Sequence, residues 1–183
     1  MTETETLFNG RWLRMVRRGT WEYAERTNAG GGAVIVVAVT PQDEVLFVEQ
    51  FRVPIQQHTI EMPAGLIGDE AGLEHEDAVA TAARELEEET GYRAGRVEYV
   101  MSGPTSAGMS TEHATFVRAT RLERVGEGGG TESEQIVVHR VPRATCAQWL
   151  AERMREGFSI DPKLYAGLYF LDRDAAGEPW PAA

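Results

Sequence analysis

The stretch that decides the reading is Arg84-Glu85-Leu86-Glu87-Glu88-Glu89-Thr90-Gly91-Tyr92. The residues leading into it are alanine-rich and free of Gly and Pro, which predicts a helix from about Glu76 to Thr90. Gly91 supplies the C-terminal stop. On that helix Glu85, Glu88 and Glu89 stand at i, i+3 and i+4, so their carboxylates share one face. Like charges at this spacing each cost a helix about 0.2–0.5 kcal/mol, a penalty that a hard cation between them offsets. Oxygen-only ligands suit Mg2+ or Mn2+ and not zinc. Val79, Ala83 and Leu86 offer a separate apolar side for burial. Arg84 is placed to orient a carboxylate through its planar fork. Upstream, Glu61-Met62-Pro63-Ala64-Gly65 reads as a loop whose carbonyls could complete a coordination sphere. A solvated acidic face is the plainer reading of a glutamate run; the arginine and the loop favour the metal.

Composition bounds the rest. The 183 residues are 42% hydrophobic and 26% charged, enough for one real core. No run approaches the roughly 18 to 20 apolar residues of a membrane span, so no membrane partner is expected. Met1-Thr2-Glu3-Thr4-Glu5 has no basic flank leading into an apolar run; no secretory signal is expected, and the expected location is cytoplasmic. The single cysteine, Cys146, excludes a disulfide framework and reads as a small buried residue. Eighteen basic against twenty-nine acidic residues give a net charge of −11. That balance argues against a nucleic-acid partner. It admits a small phosphorylated substrate if a divalent cation stands between the two negative partners.

Along the chain, Arg11 to Arg26 predicts a strand pair broken at Arg18-Gly19. Ala33–Val39 and Val45–Val48 flank Pro41-Gln42-Asp43 and read as a hairpin in the central sheet. Further strands are expected at Arg96–Met101, His113–Arg121 and Gln135–Val141. Helices are expected at Ala144–Glu156 and from Asp161-Pro162-Lys163 to about Leu171. The glycine runs at 30–32 and 128–130 read as loops. The four histidines share no ligand spacing and read as structural or exposed. This order is an α+β domain, residues 31–183, with a strand-pair extension at residues 1–30.

Arg84-Glu85-Leu86-x-Glu88-Glu89-x-Gly91-Tyr92 resembles the second half of the Nudix box, G-x5-E-x7-R-E-U-x-E-E-x-G-U. Glu76 falls seven residues before Arg84, where the box has its first Glu, with Glu70 or Glu74 as alternatives. Gly65 is the candidate for the box glycine, across a lengthened loop. The resemblance implies a Nudix α/β/α sandwich with an N-terminal β-hairpin extension. It also implies metal-dependent hydrolysis of a nucleoside diphosphate linked to another moiety.

Val48-Glu49-Gln50-Phe51-Arg52 followed by Glu61-Met62-Pro63-Ala64-Gly65 is similar to the ADP-ribose and nucleotide-sugar pyrophosphatase branch. By that resemblance, Ala64 gives a backbone carbonyl to a metal and Glu85, Glu88 and Glu89 give carboxylates. Arg84 belongs with the catalytic set, and Arg52 contacts the diphosphate; without the resemblance Arg52 is a surface arginine with a packed stem. Gly103–Glu112 is similar to the branch's Ser-Pro-Gly-x-(Ser/Thr)-x-Glu loop, with Ala107 where a proline is usual. There Glu112 touches substrate or metal, or is part of a polar turn. Thr131-Glu132-Ser133-Glu134-Gln135 resembles the mobile loop that provides the general base, and the preceding glycines would let it swing. Glu132 is the expected base, and Glu134 an additional metal contact or substitute base. Trp21 or Tyr23 would stack on the substrate base across a homodimer, or pack in an interface or core. The implied substrate is ADP-ribose or a related nucleoside diphosphate sugar. A GDP-sugar or dinucleotide pyrophosphatase is the alternative, and a non-catalytic ligand sensor the remote one.

Overall fold

The structure is a computed structural model, and it describes residues 3–27, 32–69, 72–131 and 135–180. In chain order the strands are β1 (Thr4–Asn9), β2 (Leu13–Arg18), β3 (Trp21–Arg26), β4 (Ala33–Ala38), β5 (Glu44–Arg52), β6 (Gln57–Glu61) and β7 (Ala64–Leu66). Helix α1 (Ala78–Thr90) follows, then β8 (Tyr92–Pro104), β9 (His113–Arg124) and β10 (Val137–Pro142). Helix α2 (Cys146–Arg155), the short β11 (Ser159–Ile160) and α3 (Pro162–Phe170) complete the chain.

The strands form three sheets, ordered β1-β2-β3, β10-β5-β6-β11 and β7-β4-β9-β8. The expected hairpin of β4 with β5 is therefore corrected: the two strands lie in different sheets, meeting at a bridge between Val39 and Val45 and a bond from Thr40 N–H to Glu44 O. The reason is burial. Val34 to Ala38 are all buried, so β4 is covered on both faces and sits between β7 and β9 inside its sheet. Successive strand residues point to opposite faces. Val34, Val36 and Ala38 pack with Ala82 and Leu86 of α1. Ile35 and Val37 pack with Leu150 of α2 and Leu164 of α3. Helices thus cover opposite faces of the central strands, which is the expected α/β/α layering.

Helix α1 begins at Ala78, two residues later than expected, because Asp77 caps it. The Asp77 carboxylate accepts from the N–H groups of Val79 and Ala80, both at 2.9 Å. Gly91 ends the helix in the left-handed conformation, φ 74°. The buried apolar side is Ala82 with Leu86, whereas Val79, expected there, is exposed. The stretch Glu61–Gly65, expected as a loop, instead carries the end of β6 and the start of β7, with Met62 and Pro63 between them. The N-terminal extension has three strands, the added β1 being exposed throughout and so lacking the alternation that marks a strand in sequence. His58 and His139 are structural, as expected. Both reach the Glu49 carboxylate, at 3.1 and 3.0 Å, and tie β6 and β10 across β5. Cys146 is buried, and burial raises its thiol to about 11. Among the described residues no helix is long and apolar enough to cross a membrane.

Candidate active site

Side chains from the two larger sheets, α1 and the start of α3 converge on a cleft of about 690 Å³. One wall comes from α1. Its residues Glu85 and Glu89, one turn apart, both line the cleft. Strand β7 lies directly against them. Ala64 N–H donates to Glu89 Oε2 at 3.0 Å. A Cβ on Gly65 would fall 2.0 Å from the Glu85 Cδ, so a side chain here would displace the Glu85 carboxylate.

Arg84 organises the acids. Its guanidinium lies 3.1 Å from Glu85 Oε1 and 3.2 Å from both Glu88 and Glu76. Glu76 also accepts from the Thr81 hydroxyl at 3.0 Å. Of the three candidates for the earlier box acid, Glu76 docks on Arg84, Glu74 bonds the Gly72 N–H on an exposed turn, and Glu70 lies outside the described residues. Arg84 acts by positioning carboxylates. Glu88 shares the Arg84 contact but is not part of the cleft wall. Among the described residues, no three carboxylate, imidazole or thiol groups stand close enough together to hold an ion as they are placed here. The donor set at α1 is all oxygen, which by its chemistry fits a hard divalent cation and no softer metal.

The opposite wall is the hairpin of β5 and β6. Arg52 Nε and Nη2 each donate at 2.7 Å to the two oxygens of Glu61. The Thr59 hydroxyl donates to the same carboxylate. The bond to Glu61 raises the Arg52 pKa against the opposing effect of burial. Burial pushes the Glu61 carboxyl up, but the Arg52 bonds and charge, the Thr59 bond and the Lys163 charge outweigh it, and the pKa ends below the ordinary value. Next to this pair, Lys163 Nζ lies 2.5 Å from Asp161 at the start of α3. In the sequence Glu61 stands out only as part of a loop and Asp161 and Lys163 only as a helix start, none of them as a cleft residue. Arg52 and Glu61 meet only because β5 folds back on β6, and nothing in a nine-residue separation signals that register.

Arg26 and Glu112 close the third side, 2.6 Å apart. They also line a second cavity of about 540 Å³ beneath β3 and the 106–113 segment. Trp21 lines neither space; it is exposed, beside Gly108. Glu132 and Glu134 lie outside the described residues. The glycines expected to act as their hinge are instead bonded to α1, with Gly129 N–H on Glu89 O at 2.8 Å and Gly130 N–H on Glu88 O at 3.1 Å. Counted around the cleft, six carboxylates face three cations, a net lining charge of −3.

Residues 31–154 match the NUDIX domain family, two thirds of the chain. The chain belongs to the Nudix family. It is 34% identical over 140 residues to the methanol dehydrogenase activator of Bacillus methanolicus, covering 74% of this chain and 73% of that protein. It is 38% identical over 106 residues to the ADP-ribose pyrophosphatase of Bacillus subtilis, covering 58% of this chain and 55% of that one. A solved structure described as an ADP compounds hydrolase shares the fold with a TM-score of 0.70, at 19% identity, over 92% of this chain and 89% of that one. By these matches it is a Nudix hydrolase of the ADP-ribose pyrophosphatase branch.

The Arg52–Glu61 pair sets a pH dependence for this hydrolase. A carboxyl whose folded pKa is lowered contributes stability above its ordinary, unfolded pKa and loses it as pH falls through the folded value. Arg52→Leu should cost roughly 1–2 kcal/mol at pH 7, discounted because Arg52 is half exposed. The deficit should shrink at pH 4, where the stranded Glu61 takes up a proton. Urea unfolding at both pH values checks this, and an equal deficit at both would contradict it.

Proposed function

We propose that this Nudix hydrolase cleaves the diphosphate bond of ADP-ribose or a related nucleoside diphosphate sugar with the help of Mg2+, Mn2+ being a substitute. For ADP-ribose the products are AMP and ribose 5-phosphate. The observation that carries the reading is the lining charge. A cleft with six carboxylates and three cations, each cation already paired with one of those acids, repels a diphosphate unless divalent charge enters with it.

In this reading Glu85, Glu88, Glu89 and the Ala64 carbonyl hold the cation, and what it supplies when bound is neutralised diphosphate oxygens and a water of lowered pKa. Arg84 keeps the three acids from spreading apart, since it contacts two of them directly and fixes Glu76 behind them. Arg52 orients the substrate. Its Nε and Nη2 are committed to Glu61, and Nη1, which takes no part in that pair, is the donor offered to a diphosphate oxygen. As a bond to one phosphorus breaks, the same guanidinium stabilises the charge that leaves with the other phosphate. Glu132 accepts the proton of the attacking water, with Glu134 as substitute. Glu112, held by Arg26 between the cleft and the second cavity, meets the substrate where those two spaces join.

Glu89→Gln keeps the shape of a cleft acid and removes its charge. With Mg2+ and a panel of nucleoside diphosphate sugars, it should lower kcat/KM by at least about 100-fold, the loss of a few kcal/mol of transition-state stabilisation. Near-normal turnover would remove Glu89 from the site. Wild-type turnover on a GDP-sugar or dinucleotide and not on ADP-ribose would move the substrate to the alternative branch.

We further propose a homodimer through the N-terminal sheet. Phe8, Trp12, Leu13 and Trp21 are exposed on β1–β3 and the turn between β1 and β2, an apolar area a monomer does not usually leave in water. In such a dimer Trp21 reaches the substrate base in the partner's cleft. Light scattering should give about twice the 20.2 kDa chain mass, and Trp21→Ala should raise KM for the nucleotide; a monomer with unchanged KM would overturn both statements.

A further inference from the structure

Lys163 is the only lysine in the chain; the other seventeen basic residues are arginines. It lies in the cleft wall, at the start of α3. Asp161 holds it at both ends. One carboxylate oxygen accepts from the Lys163 backbone N–H at 2.8 Å, and the other stands 2.5 Å from Nζ. Asp161 is itself fixed, because its N–H donates to Ile60 O at 3.0 Å and its side chain is largely buried. A lysine at a helix start ordinarily extends into water, whereas this one is folded back on its own turn. Ordering so flexible a chain costs rotamer freedom that a part-exposed ion pair returns only in part. Of the three N–H bonds of the ammonium, two take no part in the bond to Asp161, and each Asp161 oxygen keeps a lone pair.

The sides of the cleft differ in chemistry. Where Arg26 and Glu112 border the second cavity, Leu13, Ala24 and Met109 offer apolar surface suited to the face of a nucleobase. At α3, an ammonium and a carboxylate stand side by side and their charges cancel. Neighbouring sugar hydroxyls, each both donor and acceptor, can bond to the two groups at once. A phosphate placed there would gain from the ammonium and be repelled by the carboxylate touching it.

We propose that Asp161 and Lys163 are substrate-binding residues that read the sugar hydroxyls of a nucleoside diphosphate sugar, Nζ donating and the carboxylate accepting. This rests on the nucleotide-sugar reading of the cleft and adds the direction in which the substrate lies. The diphosphate sits at Arg52 and the α1 acids, the sugar points to α3, and the nucleoside points to the second cavity. Selection among sugars is then made at α3, away from the Nudix box.

Titration calorimetry with Mg2+ tests this on the full chain with two non-cleavable probes. One is α,β-methylene ADP-ribose; the other is the β-methyl ester of α,β-methylene ADP, which has the same diphosphate charge and no sugar. Lys163→Met should weaken binding of the first probe by about 10-fold or more, the loss of a charge-assisted bond, and leave the second within about twofold. Asp161→Asn, which keeps an acceptor for the helix-start N–H but removes the charge, should give the same split. Because the chain has one lysine, mass spectrometry can follow its acetylation, which the first probe should slow and the second should not. Equal losses on both probes would put the pair on the diphosphate or the nucleoside, and unchanged affinity for both would leave it a helix-start contact; either result in either variant overturns the proposal. Wild-type protein that binds neither probe fails the functional reading and the proposal with it, so the two failures are distinguishable.

Discussion

Three carboxylates gathered on one guanidinium hold this site together. Arg84 stands 3.1 to 3.2 Å from Glu76, Glu85 and Glu88, and it is largely buried by the acids and the helix that carries them. Without that cation, like charges one helical turn apart would repel and Glu76 would lose its ion pair, keeping its bond to Thr81. With it, the α1 acids are kept in position while the cleft as a whole stays electronegative. The arrangement stabilises the free protein only in part, and the remaining negative charge is what a divalent ion can use.

The fold brings three further constraints to the same place. Strand β7 runs beside α1, with Gly65 against the Glu85 side chain and the Ala64 N–H on Glu89. The β5–β6 hairpin sets Arg52 on Glu61, and Asp161 is fixed beside it by its N–H bond to Ile60 O at 3.0 Å. The N–H groups of Gly129 and Gly130 close the far end of the helix on Glu89 O and Glu88 O.

The sequence revealed the chemistry more readily than the pairing. Helix α1, its glycine stop and the Arg84 cluster were legible because helical spacing puts the acids together within one local segment. Helices α2 and α3 were legible for the same reason, and Asp161-Pro162 marked the start of α3. Long-range pairing was not. The run Val34–Ala38 is apolar at every position, so its two buried faces left no alternation to say which neighbour it takes, and the hairpin with β5 was misread. Strand β7 is three residues long and follows a proline, below what periodicity can register. The glycines at 128–130 read as a hinge because composition cannot distinguish freedom from close approach. Glu61 and Lys163 became visible as cleft residues only once the β6–β11 edge was formed.

The central claim is that divalent charge must accompany the substrate into a cleft whose own lining is negative. Titration calorimetry with the α,β-methylene analogue of ADP-ribose, which cannot be cleaved at the diphosphate, tests this directly. The account predicts binding in the presence of Mg2+ and affinity weaker by at least about 100-fold in EDTA, equivalent to roughly 2.7 kcal/mol. Equal affinity with and without the cation would contradict it.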